Sequence, residues 1–128
     1  MPDCGDLPPT IVLVEDDEDI GRLIRLHLEN AGFATRWFRS ATSVIAEAES
    51  QLPVLFLLDL MLPGVDGFQL CRSIRKHGVL RTLPIIVLTA SAGQSDRKLA
   101  FESGADDYVS KPFSPADLIS RVRALCER

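Results

Sequence analysis

Apolar and polar positions along the chain switch repeatedly between a strand period and a helix period. Thr10-Ile11-Val12-Leu13-Val14 is a β-branched apolar run of strand length, and it empties into Glu15-Asp16-Asp17-Glu18-Asp19. Ile20, Leu23, Ile24, Leu28 and Ala31 then recur at helical spacing. Asp17 or Asp19 can cap that helix, neighbouring acids favour its N-terminus, and Asn30-Ala31-Gly32 supplies a stop. His27 lies beside the stripe with no partner pattern and reads as a boundary residue. Ala34-Thr35-Arg36-Trp37-Phe38 is a shorter, more polar strand suited to a sheet edge. Ser40 is placed to cap a helix whose modest apolar face is Val44, Ile45 and Ala48, and Pro53 ends the connection.

Val54-Leu55-Phe56-Leu57-Leu58 then runs without a polar break into Asp59, followed by Leu60-Met61-Leu62-Pro63-Gly64. A continuous apolar run of this kind is a strand buried on both faces, so a single carboxylate is delivered to its end. Asp66-Gly67 opens a helix to about His77, with Phe68, Cys71 and Ile74 spaced for burial. Pro84-Ile85-Ile86-Val87-Leu88 is the next apolar strand and finishes at Thr89-Ala90-Ser91. The helix from about Gln94 to Ser103 is weak, with Leu99 its best-placed core residue and Gly104 closing it. Asp107-Tyr108-Val109-Ser110 is a minimal last strand leading into Lys111-Pro112-Phe113. Ser114-Pro115-Ala116-Asp117 combines an N-cap, proline at the first helical position and an acid, ahead of a stripe of Leu118, Val122 and Leu125.

Strand and helix therefore alternate five times, which predicts an α/β fold: an open, doubly wound parallel sheet with helices on both faces. Such sheets carry their sites at the carboxyl ends of the strands. Asp16, Asp59, Thr89 and Lys111 follow at the ends of strands one, three, four and five. With strand order 2-1-3-4-5, strands one and three are neighbours at the topological switch point, and their acids meet.

Composition narrows this picture without redrawing it. A chain of 128 residues suits one domain, here expected over residues 10–128 behind a flexible, Pro-containing leader of residues 1–9. No apolar run approaches bilayer length, and Met1-Pro2-Asp3-Cys4-Gly5-Asp6 lacks the basic start and apolar centre of a secretion signal, so a cytoplasmic location is expected, with no membrane partner. Cys4, Cys71 and Cys126 are an odd number at wide spacing, which suggests neither a disulfide framework nor a zinc site. A net charge of −4 argues against direct nucleic-acid binding by this domain, although not against a DNA-binding domain attached elsewhere.

Magnitudes decide what the acidic cluster can be. Two carboxylates ~5 Å apart repel by about 3 kcal/mol at an effective dielectric near 20, and a third adds to the cost. An oxygen-seeking divalent cation relieves that repulsion. Mg²⁺, held by few carboxylates together with waters and phosphate oxygens, suits an open acidic rim. Thr89 offers a hydroxyl and Lys111 an ammonium, the groups that hold phosphoryl oxygens as charge spreads over them. The constellation reads as carboxylate phosphorylation. Away from a strand end, the same run of acids would be an ordinary solvated face.

Four segments carry a specific resemblance: Val14-Glu15-Asp16-Asp17, the stretch from Leu58 to Gly67, Leu88-Thr89-Ala90, and the stretch from Gly104 to Phe113. Together they resemble the receiver domain of bacterial two-component response regulators, over about residues 10 to 127. The resemblance implies a flavodoxin-like, CheY-like sheet of order 2-1-3-4-5 flanked by five helices. It implies that Asp59 accepts a phosphoryl group from the phosphohistidine of a sensor histidine kinase or phosphotransfer protein. Asp16, Asp59 and the Met61 carbonyl would hold Mg²⁺, with Glu15 assisting, and Thr89 and Lys111 would bind the phosphoryl group. Tyr108 matches the switch aromatic that turns as Thr89 moves, reshaping the face of the fourth helix, last strand and last helix.

The C-terminal part resembles the winged-helix OmpR/PhoB subfamily, which makes transcription the expected output. Arg97, Glu102, Asp107, Asp117, Arg121 and Arg123 could form reciprocal ion pairs in a homodimer through that face, or could be solvated surface charges. With the chain ending at Arg128, the expectation is a stand-alone receiver or one cut from a longer regulator or hybrid kinase. Met61 and Ser91, two positions after Asp59 and Thr89, do not suit the orienting of an attacking water, so a phosphoaspartate lasting minutes or more is expected. A phosphatase would want a second acid where Met61 stands, and a receiver serving only as a binding module would lack one of the site groups. The protein is thus expected to be a phosphoacceptor that promotes its own phosphorylation and dephosphorylation, and not an enzyme with turnover.

Overall fold

The computed structural model describes residues 8–60, 67–89 and 94–127. Met61, Ser91 and residues 1–7 of the expected leader lie outside them. Ten elements alternate: β1 (Thr10–Val14), α1 (Glu18–Asn30), β2 (Ala34–Phe38), α2 (Val44–Ser50), β3 (Leu55–Asp59), α3 (Gly67–Lys76), β4 (Ile85–Thr89), α4 (Gln94–Glu102), β5 (Asp107–Ser110) and α5 (Pro115–Cys126). All strand pairs are parallel and the sheet order is β2-β1-β3-β4-β5. The ends of β1 and β3 are therefore adjacent, as expected for strand order 2-1-3-4-5.

The pleat sorts the apolar runs into two layers. Ile11, Leu13, Leu55, Leu57, Ile86, Leu88 and Val109 face Ile24 and Leu28 of α1 and Leu118 and Val122 of α5. Val12, Val14, Phe56, Leu58, Ile85, Val87 and Tyr108 face α2, α3 and α4 through Val44, Ala48, Leu70, Cys71, Ile74 and Ala100. Every residue of β3 and β4 is buried, which is why those runs contain no alternating polar positions. β2, at the edge, is half-buried throughout.

Helix ends follow their local chemistry. Asp17 caps α1 by accepting from Ile20 N at 3.0 Å, and Ser114 caps α5 by accepting from Asp117 N at 3.3 Å with Pro115 just inside. Ser40 does not cap α2. Its hydroxyl accepts from Thr42 N at 3.4 Å in a local turn, and the helix begins only after Ser43. Two stripe residues are also displaced: Leu23 and Leu99 are 43% and 40% exposed. Gly21 is buried in α1 beside the expected Ile24 and Leu28, with the Trp37 ring packed where its Cβ would stand, and Ala100 is buried in α4.

Candidate functional site

Strand register sets the site. Val14 pairs with Leu58, Asp59 with Leu88 and Thr89 with Ser110, so Glu15, Asp59, Thr89 and Lys111 fall within one residue of a common rim. Lys111 is fixed there by its backbone N–H, which donates to Thr89 O at 2.7 Å. Its ammonium then stands 3.0 Å from Glu15 Oε1 and 3.1 Å from Asp59 Oδ2. Asp59 and Thr89 are buried, as is Glu15, while Asp16 is exposed at the mouth. Carboxylate oxygens of Glu15, Asp16 and Asp59 all lie within 4.8 Å of one another. Five expected residues, Glu15, Asp16, Asp59, Thr89 and Lys111, therefore converge from four distant parts of the chain.

Electrostatics at the rim are unbalanced. Burial, then a hydrogen bond with Asp59, pushes the Glu15 carboxyl up to about 7, against a smaller pull downward from Lys111. For Lys111, burial pulls the ammonium down, but the Glu15 and Asp59 carboxylates beside it together outweigh that pull, and the net shift is upward. Glu15 Oε1 is buried with no aligned hydrogen-bond donor among the described residues, although the ammonium is near enough to pair with it as a charge. The buried Glu15 oxygen short of a donor, the buried Asp59 carboxylate and the exposed Asp16 at the mouth are an oxygen set that suits a hard divalent cation.

Tyr108 is buried and pairs in register with Val87, in the layer that also holds Ile85. Of the six residues expected at a dimer face, Arg121 pairs within the chain with Asp107 at 2.8 Å and with Asp117 at 3.0 Å. Arg97 and Glu102 are exposed on α4. Arg123 stands apart from them, donating to Ala31 O at the end of α1 at 3.2 Å.

Sequence reasoning missed two neighbours of the site. Trp37 Nε1 donates to Glu15 O at 2.9 Å. Gly67 brings α3 against the end of β3: its N–H donates to Leu60 O at 3.2 Å, and a Cβ there would stand 2.7 Å from Asp59 O. The Gly67 signal was available, as a glycine opening a helix just past the acceptor strand. The Trp37 contact joins positions 22 apart and has no local signature.

The sequence matches the response regulator receiver domain family over residues 11–123. The chain belongs to that family. This receiver is 46% identical over 125 residues to the transcriptional regulatory protein GltR of Pseudomonas aeruginosa, covering 93% of this chain and 49% of that protein. The chain spans about half the length of the curated relatives it matches. A crystal structure of a putative response regulator from Chloroflexus aurantiacus superposes with a TM-score of 0.91 at 37% identity, covering 94% of this chain and 99% of that one. The receiver domain of a sensor histidine kinase from Pseudomonas aeruginosa PAO1, with a magnesium ion coordinated in its active-site cleft, gives a TM-score of 0.87 at 32% identity, with 94% and 99% coverage. Among the described residues of this receiver, no helix is long and apolar enough to cross a membrane.

Proposed function

We propose that Asp59 is the phosphoacceptor of a two-component relay, taking a phosphoryl group from the phosphohistidine of a sensor histidine kinase or phosphotransfer protein in the cytoplasm. The carrying observation is the Lys111 ammonium at 3.0 and 3.1 Å from Glu15 and Asp59, beside a three-carboxylate oxygen set. The donor set and the magnesium-bound relative support Mg²⁺ held by Glu15, Asp16 and Asp59. The Met61 carbonyl, the remaining expected donor, lies outside the described residues. When bound, the ion offsets carboxylate charge so that an anionic phosphoryl group can approach.

An Asp59 carboxylate oxygen attacks phosphorus in line with the P–N bond. The O–P bond forms, the P–N bond breaks, and its electron pair stays on the imidazole ring. Lys111 exchanges its contact with Asp59 Oδ2 for a phosphoryl oxygen, and Thr89 donates its hydroxyl to another. As Thr89 moves, Tyr108 turns and the α4-β5-α5 face changes shape. That face carries a groove of about 330 Å³ lined by Arg97, Tyr108, Phe113, Asp117 and Arg121. The receiver acts stoichiometrically, promoting its own phosphorylation and dephosphorylation. The switched face controls an output, and 46% identity to a transcriptional regulator favours transcription over a hybrid-kinase role.

Incubation with acetyl phosphate and Mg²⁺ tests the proposal. One stable phosphoryl increment by intact mass is expected, absent without Mg²⁺ and absent in Asp59→Asn. Continuous phosphate release at wild-type rate by Asp59→Asn would refute it. Thr89→Ala is expected to take up the group but to leave the α4-β5-α5 resonances of the unphosphorylated protein unchanged.

A further inference from the structure

The main-chain N–H and C=O of Glu15 are both held by the end of β2. Its N–H donates to Phe38 O at 3.0 Å, and its carbonyl accepts from Trp37 Nε1 at 2.9 Å. The indole reaches that carbonyl by lying across α1 where Gly21 stands, and a Cβ on Gly21 would run into its six-membered ring. Above the ring, the Arg39 guanidinium sits 5.3 Å from the centroid and is paired with Glu18 at 3.1 Å. Trp37 is the only tryptophan in the chain. A small helix residue, a stacked cation and a strand-end carbonyl are thus arranged around one indole N–H.

Oxygens of Glu15, Asp16 and Asp59 crowd within 4.8 Å of one another, and the single Lys111 ammonium between Glu15 and Asp59 offsets only part of the repulsion among the three carboxylates, which presses the loop after β1 to open. A main-chain tether at Glu15 opposes that spreading and keeps the oxygens within reach of one ion. The structure assigns Trp37 the role of a positioning residue: through the Glu15 carbonyl it holds the acidic loop in its cation-binding arrangement and so sets divalent-cation affinity. This rests on the cation site proposed above.

The test compares Mg²⁺ dissociation constants by titration calorimetry in the full chain. The proteins are wild type, Trp37→Phe, and a protein carrying β-(3-benzothienyl)alanine at position 37, which keeps the bicyclic shape and lacks the N–H. Asp16→Asn, which removes the charge of one ligand, is the reference, and circular dichroism sets a temperature at which all are folded. Asp16→Asn is expected to weaken binding by at least about tenfold, and both N–H-less proteins by about threefold to tenfold. At saturating Mg²⁺, phosphorylation of the benzothienyl protein by acetyl phosphate returns to the wild-type rate, which general damage to the fold would not allow. An unchanged dissociation constant in the benzothienyl protein overturns the assignment, even if Trp37→Phe is weakened through lost packing. A wild type that binds no better than Asp16→Asn instead sinks the cation site itself.

Discussion

Glu15 is a carboxyl group removed from water and crowded by two other acids, with one ammonium 3.0 Å away. Burial, first, and then Asp59 hold its pKa at about 7, above the 4.5 of an exposed glutamate. Between those values the folded protein keeps a proton that the unfolded chain has lost. Unfolding free energy from this group therefore falls as pH rises through the window, by at most about 1.4 kcal/mol per pH unit, and is level above it. Urea midpoints from pH 4.5 to 8 without Mg²⁺ are expected to decline more steeply in wild type than in Glu15→Gln. A cation competes with the same proton, so Mg²⁺ affinity is expected to rise with pH up to about 7 and then flatten. Parallel stability profiles for wild type and Glu15→Gln would refute the assignment of the proton. Cys71 is the contrasting case: burial pushes its thiol up to about 11, a rise that Arg75 and Arg72 offset only in part, and it packs as a small core residue.

At the scale of elements, the turn into α3 makes the firmest demand. A Cβ on Gly67 would stand 2.6 Å from Leu60 Cα and 2.7 Å from Asp59 O, both backbone atoms that cannot swing aside. Gly67→Ala is expected to cost about 1–3 kcal/mol in urea unfolding and to slow acetyl phosphate uptake, because relief comes only by shifting the end of β3. Unaltered uptake with a normal midpoint would show that the contact relaxes freely. The strands were legible because their apolar runs have sharp ends, and Thr10–Val14, Ala34–Phe38 and Asp107–Ser110 begin and end where the pattern does. The rim residues were legible for the same reason, as each follows directly on a strand end. Helices were less so. Periodicity locates an apolar stripe without saying which edge meets the sheet, and so Leu23 and Leu99 emerge exposed while Gly21 and Ala100 go inward. Trp37 on Glu15 was illegible, since nothing in a strand sequence says that its side chain will cross a neighbouring helix to reach a carbonyl.

At the scale of the whole molecule, the proposed switch acts through the α4-β5-α5 face. Phe101 is 41% exposed there, one helical turn from Arg97, whose guanidinium lies 6.0 Å from its ring centroid. Arg121 is already satisfied within the chain by Asp107 and Asp117, so in a dimer it can only exchange or share those partners, at little net gain. We propose that the phosphorylated receiver forms a twofold homodimer through this face, with desolvated aromatic surface, not ion pairing, supplying most of the affinity and the exposed charges fixing orientation. One substitution and a change of salt separate these contributions. Phe101→Ser is expected to raise the dimer dissociation constant of the phosphorylated receiver by at least about tenfold, whereas raising salt from low to physiological strength should change it only a few-fold. Sedimentation equilibrium with Mg²⁺ and acetyl phosphate measures both, and Asp59→Asn under the same conditions gives the unswitched baseline. If salt dissolves the dimer and Phe101→Ser does not, Arg97, Glu102 and the Arg121 network carry the interface, and the aromatic is only surface.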